Sequence, residues 1–186
     1  MNRKAVVFVI SIFLGILFLS TVGNHITGFI LLAKPSAATL SNFPRPFLTS
    51  TGYYNNLFIV KPDNPGIKED NAAIIISKYF QGNKKLPPKI VTVSGLPQGV
   101  HNLILIGNPC NNELIAKELN TKKCSLGKNG DGVLKLVNHD FSNTLVLSGE
   151  VEKSAKILIG NKNYYPLRGK SITISGVKSS VLHYNN

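Results

Sequence analysis

Leu103-Ile104-Leu105-Ile106-Gly107-Asn108-Pro109-Cys110 is the stretch on which the reading of the fold turns. Four consecutive apolar residues without a polar alternate imply a strand buried on both faces, as in the interior of a parallel sheet. Gly107 then bends the chain. Asn108 followed by Pro109 has the form of a helix N-cap with proline at the first helical position, opening a helix through Ile115 and Leu119. Strand, glycine turn and helix in immediate succession are the parts of a βαβ unit, and the strand is expected to be central.

The same alternation extends in both directions from Tyr53 onward. Upstream, Leu57 to Val60 is a compact apolar run, and Ala72, Ile75, Ile76 and Tyr79 share one helical face behind Asp70 as expected N-cap, with Gly82 as the stop. Ile90 to Val93 is a second short strand, closed by the turn Gly95-Leu96-Pro97. Downstream, Gly130-Asp131-Gly132 opens a strand over Val133 to Val137, and Thr144 to Leu147 is another fully apolar-flanked strand. Glu150 to Ile159 is expected to be helical, with Val151, Ala155 and Leu158 on one face and Gly160 as its end. Ser171-Ile172-Thr173-Ile174-Ser175 alternates as an edge strand should. The expected fold is therefore α/β, a mostly parallel sheet flanked by helices in a three-layer arrangement, preceded by an N-terminal hydrophobic helix.

Residues 1–33 carry a different signal. Arg3 and Lys4 precede a run from Ala5 to Gly23 without a single charge, and a bilayer span takes about 20 apolar residues. Positive charge on the N-terminal flank keeps that end in the cytoplasm, so the remainder is expected outside it. Thr21-Val22-Gly23 offers the small residues of a signal-peptidase site, whereas the length of the run suits a retained signal anchor; both readings stand on sequence alone. Residues 34–52, with three prolines among Ser, Thr and Asn, read as a linker or stalk, leaving residues 53–186 as the α/β domain.

The formal net charge is +12, and because Arg3 and Lys4 are the only charges before Lys34, +10 of it belongs to the remainder. Anionic surface polymers, lipid headgroups or acidic protein faces are the partners such a surplus suits. Nucleic acid is not expected, since the lysines come as the isolated pairs Lys84-Lys85 and Lys122-Lys123 rather than on a basic helix, in a chain directed out of the cytoplasm. Export also sets the state of the cysteines: Cys110 and Cys124 are expected to form a disulfide, tying the start of the helix after Ile106 to the loop before Gly130.

Reactive constellations are sparse. Nine Asp plus Glu residues offer no convincing acid/base pair, because Glu150 and Glu152 point in different directions on a helix and Glu69 and Asp70 suit a helix start. Gly169-Lys170-Ser171 lacks the first glycine of a phosphate loop and leads into a strand, and Gly127 to Gly132 has too few carboxylates for a calcium loop. Zinc would need Cys110 and Cys124 joined by His101 or His139, which do not stand at ligand spacing. No cofactor or metal is expected, and His101 and His139 read as surface residues. One place retains chemical interest: the turns at Asn108 and Ser148-Gly149, at the carboxyl ends of parallel strands where open α/β sheets bind ligands.

Leu103-Ile-Leu-Ile-Gly-Asn-Pro-Cys110, the later Cys124, Gly132-Val-Leu-Lys-Leu-Val137, Leu145-Val-Leu-Ser-Gly149 before a helix, and Tyr164-Tyr-Pro-Leu-Arg-Gly-Lys170 before the last strand together resemble the α/β module of archaeal S-layer and related cell-surface proteins. Tyr53 to Phe80 is similar to that family's opening strand and helix. The resemblance implies a non-enzymatic structural or binding domain on the cell surface, with S-layer or other envelope proteins as partners. The chain departs from the family in having Asn108 where a second glycine is usual, in the Glu150-Val-Glu-Lys153 helix start, and in being short and basic. A membrane-tethered accessory protein fits that size better than a lattice subunit. The alternative is an exported hydrolase or transferase with a pocket at the carboxyl ends of the parallel strands.

Overall fold

The computed structural model describes residues 38–54, 56–82, 87–160, 167–175 and 181–185. The expected N-terminal helix, residues 1–33, lies outside them. Among the described residues no helix is long and apolar enough to cross a membrane.

The elements run β1 (Leu57–Lys61), α1 (Ile67–Gln81), β2 (Lys89–Thr92), β3 (Asn102–Ile106), α2 (Glu113–Glu118), β4 (Gly132–Asn138), β5 (Asn143–Gly149), α3 (Val151–Gly160), β6 (Ser171–Ser175) and β7 (Val181–Asn185). They form an α/β fold around one sheet of order β2-β1-β3-β5-β4-β6-β7. The pairings β2–β1, β1–β3 and β3–β5 are parallel. Those from β5 through β4 and β6 to β7 are antiparallel. Because β4 alone reverses before β6 restores the direction, five of the seven strands point the same way and the sheet is mostly parallel in that sense.

The antiparallel half follows from connection length. His139 to Ser142, closed by the His139 N–H to Ser142 carbonyl bond at 2.9 Å, is too short for a crossover, which takes a dozen residues or more, so β4 and β5 make a hairpin. Ser171–Ser175 is thus no edge strand, as its alternation had suggested: it lies between β4 and β7. Its pattern has another cause. Ile172 and Ile174 are fully buried on the helix-covered face, while Ser171 and Thr173 are half-buried on a face that α1 and α3 do not cover. The sequence reading placed no strand at Val181–Asn185, which occupies the edge instead.

Two apolar layers sandwich the sheet. On one face Leu57 and Ile59, Ile104 and Ile106, Leu145 and Leu147 pack with Ala72, Ile76 and Phe80 of α1 and Val151, Ala155 and Leu158 of α3. On the other, Phe58, Val60, Leu105 and Val146 meet Ile115 of α2, flanked by Leu96, Leu119 and Leu126. The run Leu103–Ile106 is interior as expected, flanked by β1 and β5, and β5 is the middle strand.

The expected stalk over residues 34–52 is largely part of this core. The compact unit begins at Ala38. Leu40 and Phe47 are fully buried and Phe43 nearly so. Phe43 stacks on Tyr79 at 5.7 Å and meets Phe80 edge-on at 5.5 Å. Of the prolines that suggested an extended linker, Pro35 lies outside the described residues, while Pro44 and Pro46 stand at the second of two short 3-10 turns, Leu40–Asn42 and Arg45–Phe47, which aim these apolar side chains inward.

Candidate functional site

The carboxyl ends of β1, β3 and β5 gather most of the charged and amide side chains that sequence reading singled out. Asn108 does not cap the following helix. Its Oδ1 accepts the N–H of Cys110 at 3.0 Å and of Asn111 at 3.1 Å, so Asn108-Pro109 builds a separate tight turn. The N-cap of α2 is Asn112, whose Oδ1 accepts from Leu114 N at 3.2 Å. Asn112 is fully buried. Its Nδ2 donates to the carbonyl of Ile106 at 3.0 Å and of Val60 at 3.4 Å, so one amide fastens the ends of β1 and β3 to α2. Gly107 permits this approach: at φ +127° it takes a conformation side chains avoid, and a Cβ there would lie 2.7 Å from Asn111 Oδ1.

Around this turn the carboxylates are engaged. The helix α1 begins after Gly66 rather than after Asp70, whose own N–H bonds the Gly66 carbonyl from within the first turn. That frees the Asp70 carboxylate to meet Lys61 Nζ at 2.5 Å across the end of β1. Lys68 reaches Glu150 at 2.9 Å, and this carboxylate holds the lysine above its ordinary value. Glu152 is held below the usual carboxylate range by Lys156, one turn on at 2.6 Å, and by the Asn71 amide at 3.3 Å. Asp63 is lowered likewise by the Ser94 N–H at 2.9 Å and the Ser94 hydroxyl. Glu69 accepts a long bond from Asn111 at 3.5 Å. Of these, only Glu152–Lys156 was legible as an i,i+4 pair; Lys68 and Glu150 lie 82 residues apart and carry no local signal.

Ser148, the hydroxyl nearest the second turn, is fully buried. Its Oγ has no hydrogen-bond partner among the described residues, and a substrate outside the sheet has no access to it. Gly149 follows at φ +72°, where a Cβ would lie 2.0 Å from the Asp131 carbonyl. Close backbone packing of Gly149 against Asp131 and Gly132 occupies this end of β5.

The remaining sequence candidates sit elsewhere. Cys110 and Cys124 are joined as a disulfide with a Cα–Cα distance of 4.9 Å, so neither is a thiol nucleophile. The bridge fastens the Asn108–Asn111 turn, one residue ahead of the Asn112 cap, to the loop before Gly130. His101 is exposed just before β3, at the opposite end of the sheet. His139 is on the β4–β5 hairpin, 2.6 Å from Glu118 at the end of α2. Among the described residues, no three His, Cys, Asp or Glu side chains group as metal ligands. An open groove of about 270 Å³ lies instead on the face opposite α1 and α3, beside the end of α2, lined by Leu119, Thr121, Leu126, Val133, Lys135, Ser171 and Thr173. Nothing in its lining pairs a nucleophile with a base. No protein-family model matches the chain, and comparison with curated proteins finds no match.

Proposed function

We propose that the domain beginning at Ala38 is an S-layer-like structural or binding module of the cell surface, without catalytic activity, displayed outside the cytoplasm and tethered to the membrane by the N-terminal apolar segment. The observation that carries the reading is the Cys110–Cys124 bridge, since a disulfide persists in an exported domain and is rare in a reducing cytoplasm. It fits the topology expected from Arg3 and Lys4 ahead of Ala5 to Gly23. The likeness to archaeal S-layer modules adds to it: quoted motifs fall on β3 and its turn, on β4, and on β5 leading into α3, while Tyr164 to Pro166 of the motif ahead of β6 lie outside the described residues.

At the strand ends, the place where an exported hydrolase or transferase would hold substrate, the carboxylates are spent on lysine and amide partners and Ser148 is buried. This favours a surface module over the enzyme. Envelope proteins and anionic surface polymers are the partners suited to a chain whose charge is +12. Proteinase added to intact cells is the test. The C-terminal domain is digested while a cytoplasmic control survives; digestion only after lysis overturns the proposal.

A further inference from the structure

The sheet face opposite α1 and α3 changes character along the strand order. Across β1, β3 and β5 it is apolar, with Phe58, Val60, Leu105 and Val146 packed against Ile115 of α2. Beyond β5 it turns polar. Lys135 of β4 stands opposite Ser171 of β6, and Val133 opposite Thr173, so a lysine and two hydroxyls share the floor of the groove described above. Its wall is the end of α2 and the loop that follows, through Leu119, Thr121 and Leu126. That wall is held in place. The Cys110–Cys124 bridge ties the loop to the turn ahead of α2, the Thr121 N–H bonds the Ala116 carbonyl at 3.0 Å, and the Lys128 N–H bonds Asp131 Oδ2 at 3.0 Å.

Charge is distributed unevenly between this face and the strand ends. At the carboxyl ends Lys61, Lys68 and Lys156 each meet a carboxylate. Lys135 is half-buried on an interior strand, where a cation gains most from a counter-charge, yet among the described residues it has no ion pair and no carboxylate lines the groove. Lys122, Lys123 and Lys128 on the wall loop and Lys170 ahead of β6 are exposed and likewise have no ion pair among the described residues. The acids nearest along the chain are turned elsewhere, Glu118 to the His139 ring and Asp131 to the Lys128 N–H. Resting on the surface reading proposed above, we infer that this groove binds an acidic polysaccharide, with the carboxylate or sulfate of one sugar unit on Lys135 and its hydroxyls met by Thr121, Ser171 and Thr173. Hydroxyl side chains both donate and accept, as sugar hydroxyls do. A volume of about 270 Å³ is at the small end of ligand sites, which suits one unit of a polymer whose remainder crosses the flanking lysines. The lining has no aromatic ring on which a nucleic-acid base would stack.

The full chain in detergent micelles is titrated calorimetrically with alginate, whose charge is carboxylate, with dextran sulfate, and with uncharged dextran, at about 0.15 M salt to suppress long-range attraction. Saturable binding to alginate or dextran sulfate is expected, the tighter of the two identifying the anionic group, with none to dextran. Lys135→Gln should lower the affinity about tenfold or more. Lys78→Gln removes the same charge from an exposed position on α1, across the sheet, and should change it less than about twofold. Thr173→Val keeps the shape and the net charge but deletes one hydroxyl, and should lower the affinity about fivefold. Melting temperatures show whether each variant is folded; Thr173→Val answers alone if Lys135→Gln is not. Equal losses in Lys135→Gln and Lys78→Gln, or parental binding by Thr173→Val, would assign the binding to net charge and overturn the site. Absence of binding to both acidic polymers overturns it as well. Proteinase digestion of intact cells reads surface display separately, so a chain that is digested there but binds neither polymer fails this inference only, and digestion only after lysis overturns the surface reading whatever the groove binds.

Discussion

Replacing Asn112 by alanine removes three bonds from one buried amide. The lost N-cap bond to Leu114 costs about 1 kcal/mol. The Ile106 carbonyl, left without its 3.0 Å donor, adds roughly 1–3 kcal/mol, and the longer contact to Val60 adds less. A loss of about 2–4 kcal/mol is expected, a large share of the roughly 5–15 kcal/mol that stabilises a domain. At about 2–4 °C per kcal/mol for a domain near this size, melting falls by about 10 °C. Asn112→Asp discriminates the cause. It has the same shape and keeps the cap acceptor, but turns a carboxylate toward two carbonyl oxygens in a site closed to water. It is expected to cost at least as much at neutral pH. Burial raises the folded-state pKa of that aspartate above its unfolded value, so the folded state binds the extra proton and the deficit shrinks on acidification toward pH ~4. Thermal and urea unfolding of the full chain in detergent micelles, followed by circular dichroism at several pH values, measures both. A Cys110–Cys124-intact Asn112→Asp protein as stable as the parent, or with a deficit indifferent to pH, refutes the account.

Cys110→Ser is expected to lower stability by roughly 3 kcal/mol, the chain-entropy value for a loop near 15 residues. Cys124→Ser should match it, and the double variant should lose little more, read as melting temperatures under non-reducing conditions. Phe47→Ala is expected to cost about 3–5 kcal/mol, as for a packed core phenylalanine, whereas a residue in a stalk would change stability by less than about 0.5 kcal/mol. The paired surface charges set a pH response. Glu152, held low by Lys156, stabilises above its unfolded value of 4.5 and loses that contribution as pH falls through its lowered folded value. Lys68, held high by Glu150, contributes below 10.5 and loses its contribution as pH rises above that value. Glu152→Gln should flatten the acid limb of a stability–pH curve and, because Glu152 adds to the hold of Glu150 on Lys68, weaken the alkaline limb to a smaller extent, as read by urea unfolding across pH.

The apolar runs were legible because burial on both faces leaves no room for polar alternates: Leu57 to Val60, Leu103 to Ile106 and Thr144 to Leu147 each lie within the strands they suggested. Gly82 likewise ends α1 with a positive φ, its N–H on the Lys78 carbonyl. Capping positions were less legible. Asn108 and Asn112 are equally good caps by residue type, and Pro109 fits the first position of a turn as well as of a helix. Only the positions of the Ile106 and Val60 carbonyls select Asn112. Leu40, Phe43 and Phe47 have neither helical nor strand spacing, so nothing local marked them as core; Tyr79 and Phe80, more than thirty residues on, supply the reason. At the strand ends, sequence located the turns but not the ion pairs that occupy them, since Lys68 and Glu150 meet only through the packing of α1 beside α3.

The antiparallel half of the sheet also sets the order in which a threaded chain can finish folding. Leu40 donates its N–H to the carbonyl of Gly169 at 2.8 Å, and β4 is flanked on its outer side by β6, so the first residues of the domain are closed by nearly the last. If the domain is exported as proposed, a polypeptide emerging from a translocation channel in N-to-C order has β1, α1 and β3 outside long before their covering strap can lock. The apolar surfaces of Leu134 and Leu136 wait for Ile172 and Ile174 to emerge. During that interval the incomplete domain exposes apolar surface to chaperones and proteases, and truncation ahead of β6 would leave it so permanently.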